Sequence, residues 1–315
     1  MTHPLTGWPR RALLLALAGK VCTPLWAQTT TAGAAPAAGV VASFSILADM
    51  ARELAPAGTE VLALVGPDSD AHVFEPRPAD ARRLAQADLV LVNGLGFEGW
   101  LDRLVKVSGF KGRLVVASQG VVARVASPAH HGHGHRHAHG AVDPHAWQDL
   151  AHAHRYIGNL SAAFAQRWPT KVAEINSRRH DYLARVDALD RRVRDWLGAI
   201  PRAQRRVITS HDAFGYFGAA YGIDFLAPQG WATNSEASAA AVGKLIRQIR
   251  QQNVKALFVE NISDPRLLQR IAQEGGARIG GTLYSDALSN ASGPAATYLK
   301  MVEHNARTLS EALSG

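Results

Sequence analysis

The sequence predicts an α/β protein of two lobes, each a mainly parallel sheet flanked by helices, joined by one long rigid helix. Short β-like apolar runs alternate with amphipathic helix-like stretches, the pattern of βαβ units and parallel strands. This alternation occurs twice, once in each half of the 315 residues. Between the halves runs a 3.6-residue periodicity much longer than the flanking helical patterns. The length suffices for one large domain or two ordinary ones, and a hydrophobic content of 47% excludes wholesale disorder.

The chain opens with Arg10 and Arg11, an apolar run over 12–19 and a small-residue site at Leu25-Trp26-Ala27. That layout predicts a signal peptide over 1–27, cleaved near Ala27, and a periplasmic location. A spanning helix needs roughly 20 apolar residues, and Lys20 ends this run too early. The arginine pair also suits twin-arginine export, so the sequence leaves the general and twin-arginine routes both open. Gly19-Lys20-Val21 makes a poor lipoprotein site before Cys22, so a soluble periplasmic protein is expected, with lipid anchoring the lesser alternative. Residues 28–39 are small and polar and read as a flexible leader.

The N-terminal lobe is expected over 40–168. Its strands are Val40–Phe44, Val61–Val65, Leu89–Val92 and Leu114–Ala117, with helices at Ile46–Leu54 and Pro78–Ala87. The linking helix occupies 169–200. Val172, Ile175, Tyr182, Val186, Leu189, Val193 and Trp196 recur at three- and four-residue steps. Pro169 suits its start, and Gly198 with Pro201 its end. At 1.5 Å per residue it makes a rod of about 45 Å. The C-terminal lobe, 201–315, has strands at Val207–Thr209, Ala256–Val259 and Arg278–Leu283 and helices at Ser238–Gln252 and Pro265–Glu274.

Composition narrows the chemistry. Cys22 is the only cysteine, which excludes an internal disulfide and any thiolate-rich zinc or iron–sulfur site. The net charge of +8 is spread along the chain, and the arginine pairs at 178–179, 191–192 and 205–206 read as solvated faces. No clustered basic patch with aromatics is present, so nucleic acid is not an expected partner.

Fourteen histidines carry the main signal. His72 follows the strand Val61–Val65, His145 precedes a helix within Asp143-Pro144-His145, and His211 follows the strand Val207–Thr209. Asp286 follows the strand Arg278–Leu283. Alone, each histidine reads as an ordinary loop or core residue, and Asp286 as a helix N-cap. Together they are expected at equivalent strand exits, two per lobe, facing a common cleft. Three imidazoles and one carboxylate match a closed, four-coordinate Zn²⁺ site.

Four motifs in this order resemble a known family. They are Asp-x-His-x-x-x-Pro at 70–76, Asp-Pro-His-x-Trp at 143–147, His-x-Ala-x-x-Tyr-Phe at 211–217 and the late Asp286. From about Val40 to the C-terminus the chain is similar to the zinc/manganese solute-binding proteins of ABC transporters. The resemblance implies metal ligation by His72, His145, His211 and Asp286 between two lobes on a rigid helix. It implies handover to an inner-membrane ABC permease with a cytoplasmic ATPase, a periplasmic metallochaperone being a further candidate partner. Manganese-type relatives usually carry a carboxylate at the third ligand, so His211 points to zinc. The family usually has Asp-Pro-His at the first ligand, and Ala71 in place of proline is expected to loosen that loop.

Residues 130–139 hold His130, His131, His133, His135, His137 and His139 among Gly, Ala and Arg. No helical or strand face results, and the stretch, within an expected loop at 128–142, is read as mobile and weakly metal-binding. Zinc-type relatives often carry such a loop. Asp224 and Glu260 are candidates to support an imidazole from behind, with Asp224 also competing with Asp286 as oxygen ligand. His152 and His154 read as solvated helix residues. The rival readings are a manganese or other divalent-metal carrier, a metal-binding adhesin or buffer, and a zinc hydrolase. For the last, the chain has no His-Glu-x-x-His and no nucleophile elbow, so a monomeric binding protein rather than an enzyme is expected.

Overall fold

A computed structural model of the protein describes residues 39–125, 142–252 and 254–314. The expected signal peptide, nearly all of the leader and the histidine-rich stretch lie outside the described residues. Each lobe carries four parallel strands wound in the same order. In the first lobe β1 (Val40–Phe44), β2 (Val61–Val65), β3 (Leu89–Val92) and β4 (Arg113–Val116) lie as β2-β1-β3-β4. In the second, β5 (Arg206–Ile208), β6 (Asp224–Leu226), β7 (Ala256–Glu260) and β8 (Arg278–Leu283) lie as β6-β5-β7-β8. The predicted class is the one observed.

Strands buried on both faces explain the near-continuous apolar runs. Val40, Ala42 and Phe44 of β1 turn one way, with Leu89 and Leu91 of β3. Val41, Val90 and Val92 turn the other way and meet Leu84 of α2 (Pro78–Ala85) and Leu101 and Leu104 of α3 (Leu101–Ser108). The second lobe repeats this. Ile208 and Leu257 pack outward on Leu245 and Ile249 of α7 (Ala239–Gln252) and on Leu268 and Ile271 of α8 (Pro265–Gly275). Val207, Ala256 and Phe258 turn inward.

The two inner faces share a single core. It is filled by α1 (Ser45–Leu54), α4 (Leu150–Arg167), α5 (Val172–Gly198), α6 (Gly215–Tyr221) and α9 (Tyr298–Ser314). The linking periodicity is α5, 27 residues or about 40 Å long. It is preceded by a 3-10 turn at Pro169–Lys171. Its buried face is Ile175, Tyr182, Val186, Leu189, Val193 and Leu197, while Val172, expected on that face, is exposed. It packs on α1 and α4 of the first lobe and on α6 and α9 of the second. The helix is therefore embedded in the shared core along its length and is not a free strut.

Polar ties also cross between the lobes. The Tyr298 N–H, at the start of α9, donates to Asp49 Oδ2 of α1 at 2.8 Å, and the Tyr298 hydroxyl donates to the Trp147 carbonyl. Burial lifts the Asp49 carboxyl to about 6, the Tyr298 bond only partly opposing it. A carboxyl whose folded value exceeds its unfolded one of 3.8 destabilises the fold progressively as pH rises between the two. The expected loss is about 3 kcal/mol between pH 4 and pH 7. Urea titrations of chelator-treated protein should show Asp49→Asn, which keeps the acceptor and cannot ionise, losing correspondingly less stability over that window. Parallel curves for the two proteins would remove this role.

Candidate metal centre

Three of the four predicted residues leave strands directly. The loop after β2 carries His72, the loop after β5 carries His211, and the loop after β8 carries Asp286. His145 arrives differently, from the segment that returns after β4, just before a 3-10 turn at Ala146–Gln148. The expected equivalence of all four exits therefore holds only in part. Because the sheets have one winding order, only His145 and Asp286 follow corresponding strands. His72 follows an edge strand and His211 a central one.

The structure brings all four side chains together, with one donor atom from each lying within 4.8 Å of the others. His72 Nε2 is 3.2 Å and His211 Nε2 3.1 Å from Asp286 Oδ2, and His145 Nε2 is 3.5 Å from Asp286 Oδ1. The Nε2 atoms of His72 and His145 face each other at 3.3 Å. A tetrahedral ion with bonds near 2.05 Å would separate its ligand atoms by about 3.3 Å. The side chains of His145, His211 and Asp286 are fully buried, and that of His72 is 4% exposed.

Two of the imidazoles are aimed from behind. The Asp143 carboxylate accepts from His145 Nδ1 at 2.8 Å and from the His145 backbone N–H. With the proton held at Nδ1, the lone pair of Nε2 points into the cluster. Glu260, ending β7, accepts from the His211 backbone N–H at 2.9 Å, and its other oxygen sits 2.7 Å from His211 Nδ1. Glu260 thus lies behind the His211 imidazole, on the side away from Asp286. Sequence reasoning missed Asp143 in this role, although its place two residues before His145 was visible.

Asp286 has no such support. Neither of its oxygens receives an aligned hydrogen bond among the described residues. Its loop is fixed instead through the preceding residues. Trp147 Nε1 and Gln148 Nε2 both donate to the Ser285 carbonyl, while Asn305 of α9 brackets the backbone N–H and carbonyl of Tyr284. Burial is the largest influence on Asp286 and favours its neutral form, but His145 and His211 outweigh it and hold the carboxyl well below its usual range. Burial likewise opposes charge on His211, and Glu260 and Asp286 together raise it well above the ordinary imidazole value. An ionised carboxylate sealed from water without donors costs several kcal/mol, and a cation held by the three imidazoles would remove that cost.

The His72 loop is tightly held, contrary to the expectation from Ala71. Ala71 is buried and its carbonyl accepts from Trp100 Nε1 at 2.8 Å, while the His72 N–H donates to Asp70 Oδ1. Two cross-lobe ties add to this. Thr233 donates to Asp70 Oδ2, and the Asp68 carboxylate accepts from Asn261 Nδ2 and the Asn290 N–H. Under Pro144-His145 lies a further network outside the predicted set. The Pro144 carbonyl accepts from Asn93 Nδ2, and the Asn93 N–H donates to the partly buried carboxylate of Glu98.

Asp224 is a correction. It begins edge strand β6, opposite Arg206 at the entry end of the sheet, and its half-exposed carboxylate pairs with the Arg206 guanidinium. Ligands gather at the other end of the strands, so Asp224 neither supports nor competes with Asp286. His154, half-exposed and paired with Asp187, is the solvated helix residue expected. His152 is partly buried against the Tyr216 ring, unlike the solvated reading. His130, His131, His133, His135, His137 and His139 lie outside the described residues.

Known proteins share this sequence pattern and this fold. Residues 40–312 match the sequence profile of the family described as zinc-uptake complex component A, periplasmic. The zinc-binding protein TroA of Treponema pallidum is 32% identical over 87% of this chain and 88% of its own. Its solved structure superposes with a TM-score of 0.80 at 30% identity, covering 87% of this chain and 98% of that one. The iron-binding protein YfeA of Yersinia pestis is 29% identical over 95% of this chain and 93% of its own. The manganese-binding lipoprotein MntA of Halalkalibacterium halodurans is 29% identical over 87% and 88%. No described helix is long and apolar enough to cross a membrane. The chain belongs to the zinc-uptake component A family, whose members are not enzymes but the metal-binding solute receptors of ABC transporters, working with a membrane permease and an ATPase.

Proposed function

We propose that the protein captures Zn²⁺ in the periplasm and delivers it to the inner-membrane permease of a zinc-uptake ABC transporter. The observation that carries this reading is the convergence of three imidazole nitrogens and one donor-starved carboxylate at tetrahedral spacing. A nitrogen-rich donor set suits Zn²⁺ better than the harder Mn²⁺. With four protein ligands the shell is closed, which favours retention and leaves no position for an activated water. The relatives are named for manganese and iron as well as zinc, so the third ligand, His211, is the discriminating position.

The direct test is native mass spectrometry of the purified protein with competing Zn²⁺, Mn²⁺ and Fe²⁺, before and after chelation. One strongly held Zn²⁺ is expected, absent from His211→Ala. His211→Glu should shift preference toward Mn²⁺. Retention of Mn²⁺ in preference to Zn²⁺ by the unaltered protein would end the zinc assignment and favour the manganese reading.

Support from behind the ligands should also be measurable. Glu260→Gln is expected to weaken Zn²⁺ binding by roughly 10- to 100-fold, the usual effect of altering a partner that orients a ligating imidazole. Isothermal competition against a chelator of known strength reads this. An unchanged affinity would place Glu260 outside the site's function.

The six histidines of 130–139 would supply weaker, fluctuating sites that collect Zn²⁺ for the centre. Deleting 130–139 should leave one tight equivalent and remove the weak ones, and loss of the tight equivalent would contradict the ligand assignment. The proposal includes export with cleavage near Ala27, action as a monomer and, as a further partner, a periplasmic metallochaperone.

A further inference from the structure

We propose that Gly215 and Tyr216, at the start of α6, are positioning residues for the metal. They hold the Asp143 carboxylate where it orients His145. The inference rests on the zinc-site assignment proposed above.

His145 owes its aim to Asp143, whose Oδ1 accepts from both its backbone N–H and its Nδ1. Asp143 is in turn held by a residue of the other lobe. The Tyr216 hydroxyl donates to the Asp143 carbonyl at 3.1 Å and accepts from the Arg124 N–H at 2.9 Å. The Asp143 N–H donates to the Arg124 carbonyl, and Val125 bridges Val142 alongside. One buried phenol therefore uses both its donor and its acceptor to fasten two backbone strands of the first lobe onto α6 of the second. Its ring is fixed as well, with the His152 ring edge-on at 5.2 Å and the Arg124 guanidinium at 5.7 Å.

Gly215 sets the height of the carboxylate. A Cβ at this position would lie 2.7 Å from Asp143 Oδ2 and 3.2 Å from Arg124 Nε. Only a residue without a side chain lets Asp143 settle against the helix. Arg124 Nε stands 3.8 Å from the same oxygen, but its side chain is 45% exposed, and solvent screens that attraction. Contact with Gly215 and the Tyr216 bonds are the better shielded restraints.

The consequence is coupling between two ligands. Gly215 follows His211 by four residues, so the segment that supplies the third ligand also buttresses the second. A shift of α6 away from Asp143 disturbs His145 and His211 together. The pair thus acts through Asp143 on metal retention, without touching the ion.

The test uses Tyr216→Phe, which keeps the ring, and Gly215→Ala, which keeps the phenol. Zn²⁺ loss to excess chelator is timed in each, and the visible spectrum of the Co²⁺-substituted protein reports ligand geometry. Both variants should release Zn²⁺ about tenfold faster, as for groups that orient a ligating imidazole, with altered Co²⁺ bands. A general loss of stability would leave the Co²⁺ bands in place. In an Asp143→Asn background, Tyr216→Phe should add less than about twofold if it works through Asp143, since effects in one network are not additive. Unchanged release or bands in either variant overturns the role of that residue, and effects that multiply in the double variant overturn the route through Asp143. His211→Ala in the same series separates the two proposals. If it retains Zn²⁺ as the unaltered protein does, the metal-site assignment has failed rather than this inference.

Discussion

A buried carboxylate with no hydrogen-bond donor of its own is the constraint around which this protein is arranged. Asp286 lies between the lobes with no aligned hydrogen bond to either oxygen among the described residues. Three Nε2 atoms stand 3.1–3.5 Å from it without an aligned hydrogen bond. Such a group is tolerable only where positive charge can be placed beside it. The remaining features of the site follow from that need. Asp143 and Glu260 sit behind two of the imidazoles, so the arrangement alternates acid, imidazole and acid from outside to inside.

The scaffold meets the same need by rigidity. Loops would leave a bidding point charge free to find water, whereas here each ligand-bearing loop is tied to a packed element. Asn305 of α9 holds the backbone before Asp286, Trp100 holds that before His72, and Asn93 holds Pro144. Other buried hydrogen bonds cross between the lobes, from Trp147 Nε1 and Gln148 Nε2 to the Ser285 carbonyl, made possible because both inner sheet faces close on one core. Groups in such a low-dielectric setting hold their geometry well when fully paired.

Much of this was legible in the residues. The strand runs of both lobes, the long helix and the four central side chains follow from apolar periodicity and from chemistry-bearing residues near strand ends. What escaped did so for identifiable reasons. Strand β6 is three residues long and carries too little pattern to register. That is why Asp224 could be set beside the cleft when it actually opens an edge strand and pairs with Arg206. No described strand follows helix α9 to mark its limits, and its grip on Tyr284 depends on a contact between Asn305 and a residue 21 positions earlier. Asp143 was seen as part of a motif and not as a partner, because its contact with His145 depends on a ring orientation that spacing does not specify. Ala71 was read by what it lacks, and the indole of Trp100 that compensates lies 29 residues away.

The single apolar core that runs through α1, α4, α5, α6 and α9 has a consequence for how this molecule comes apart. Neither sheet owns its inner face, so neither half can melt while the other survives without baring that face to solvent. The two halves of a chain that looks bipartite are thereby coupled in denaturation, and the helix between them acts as a spine common to both and not as an axle.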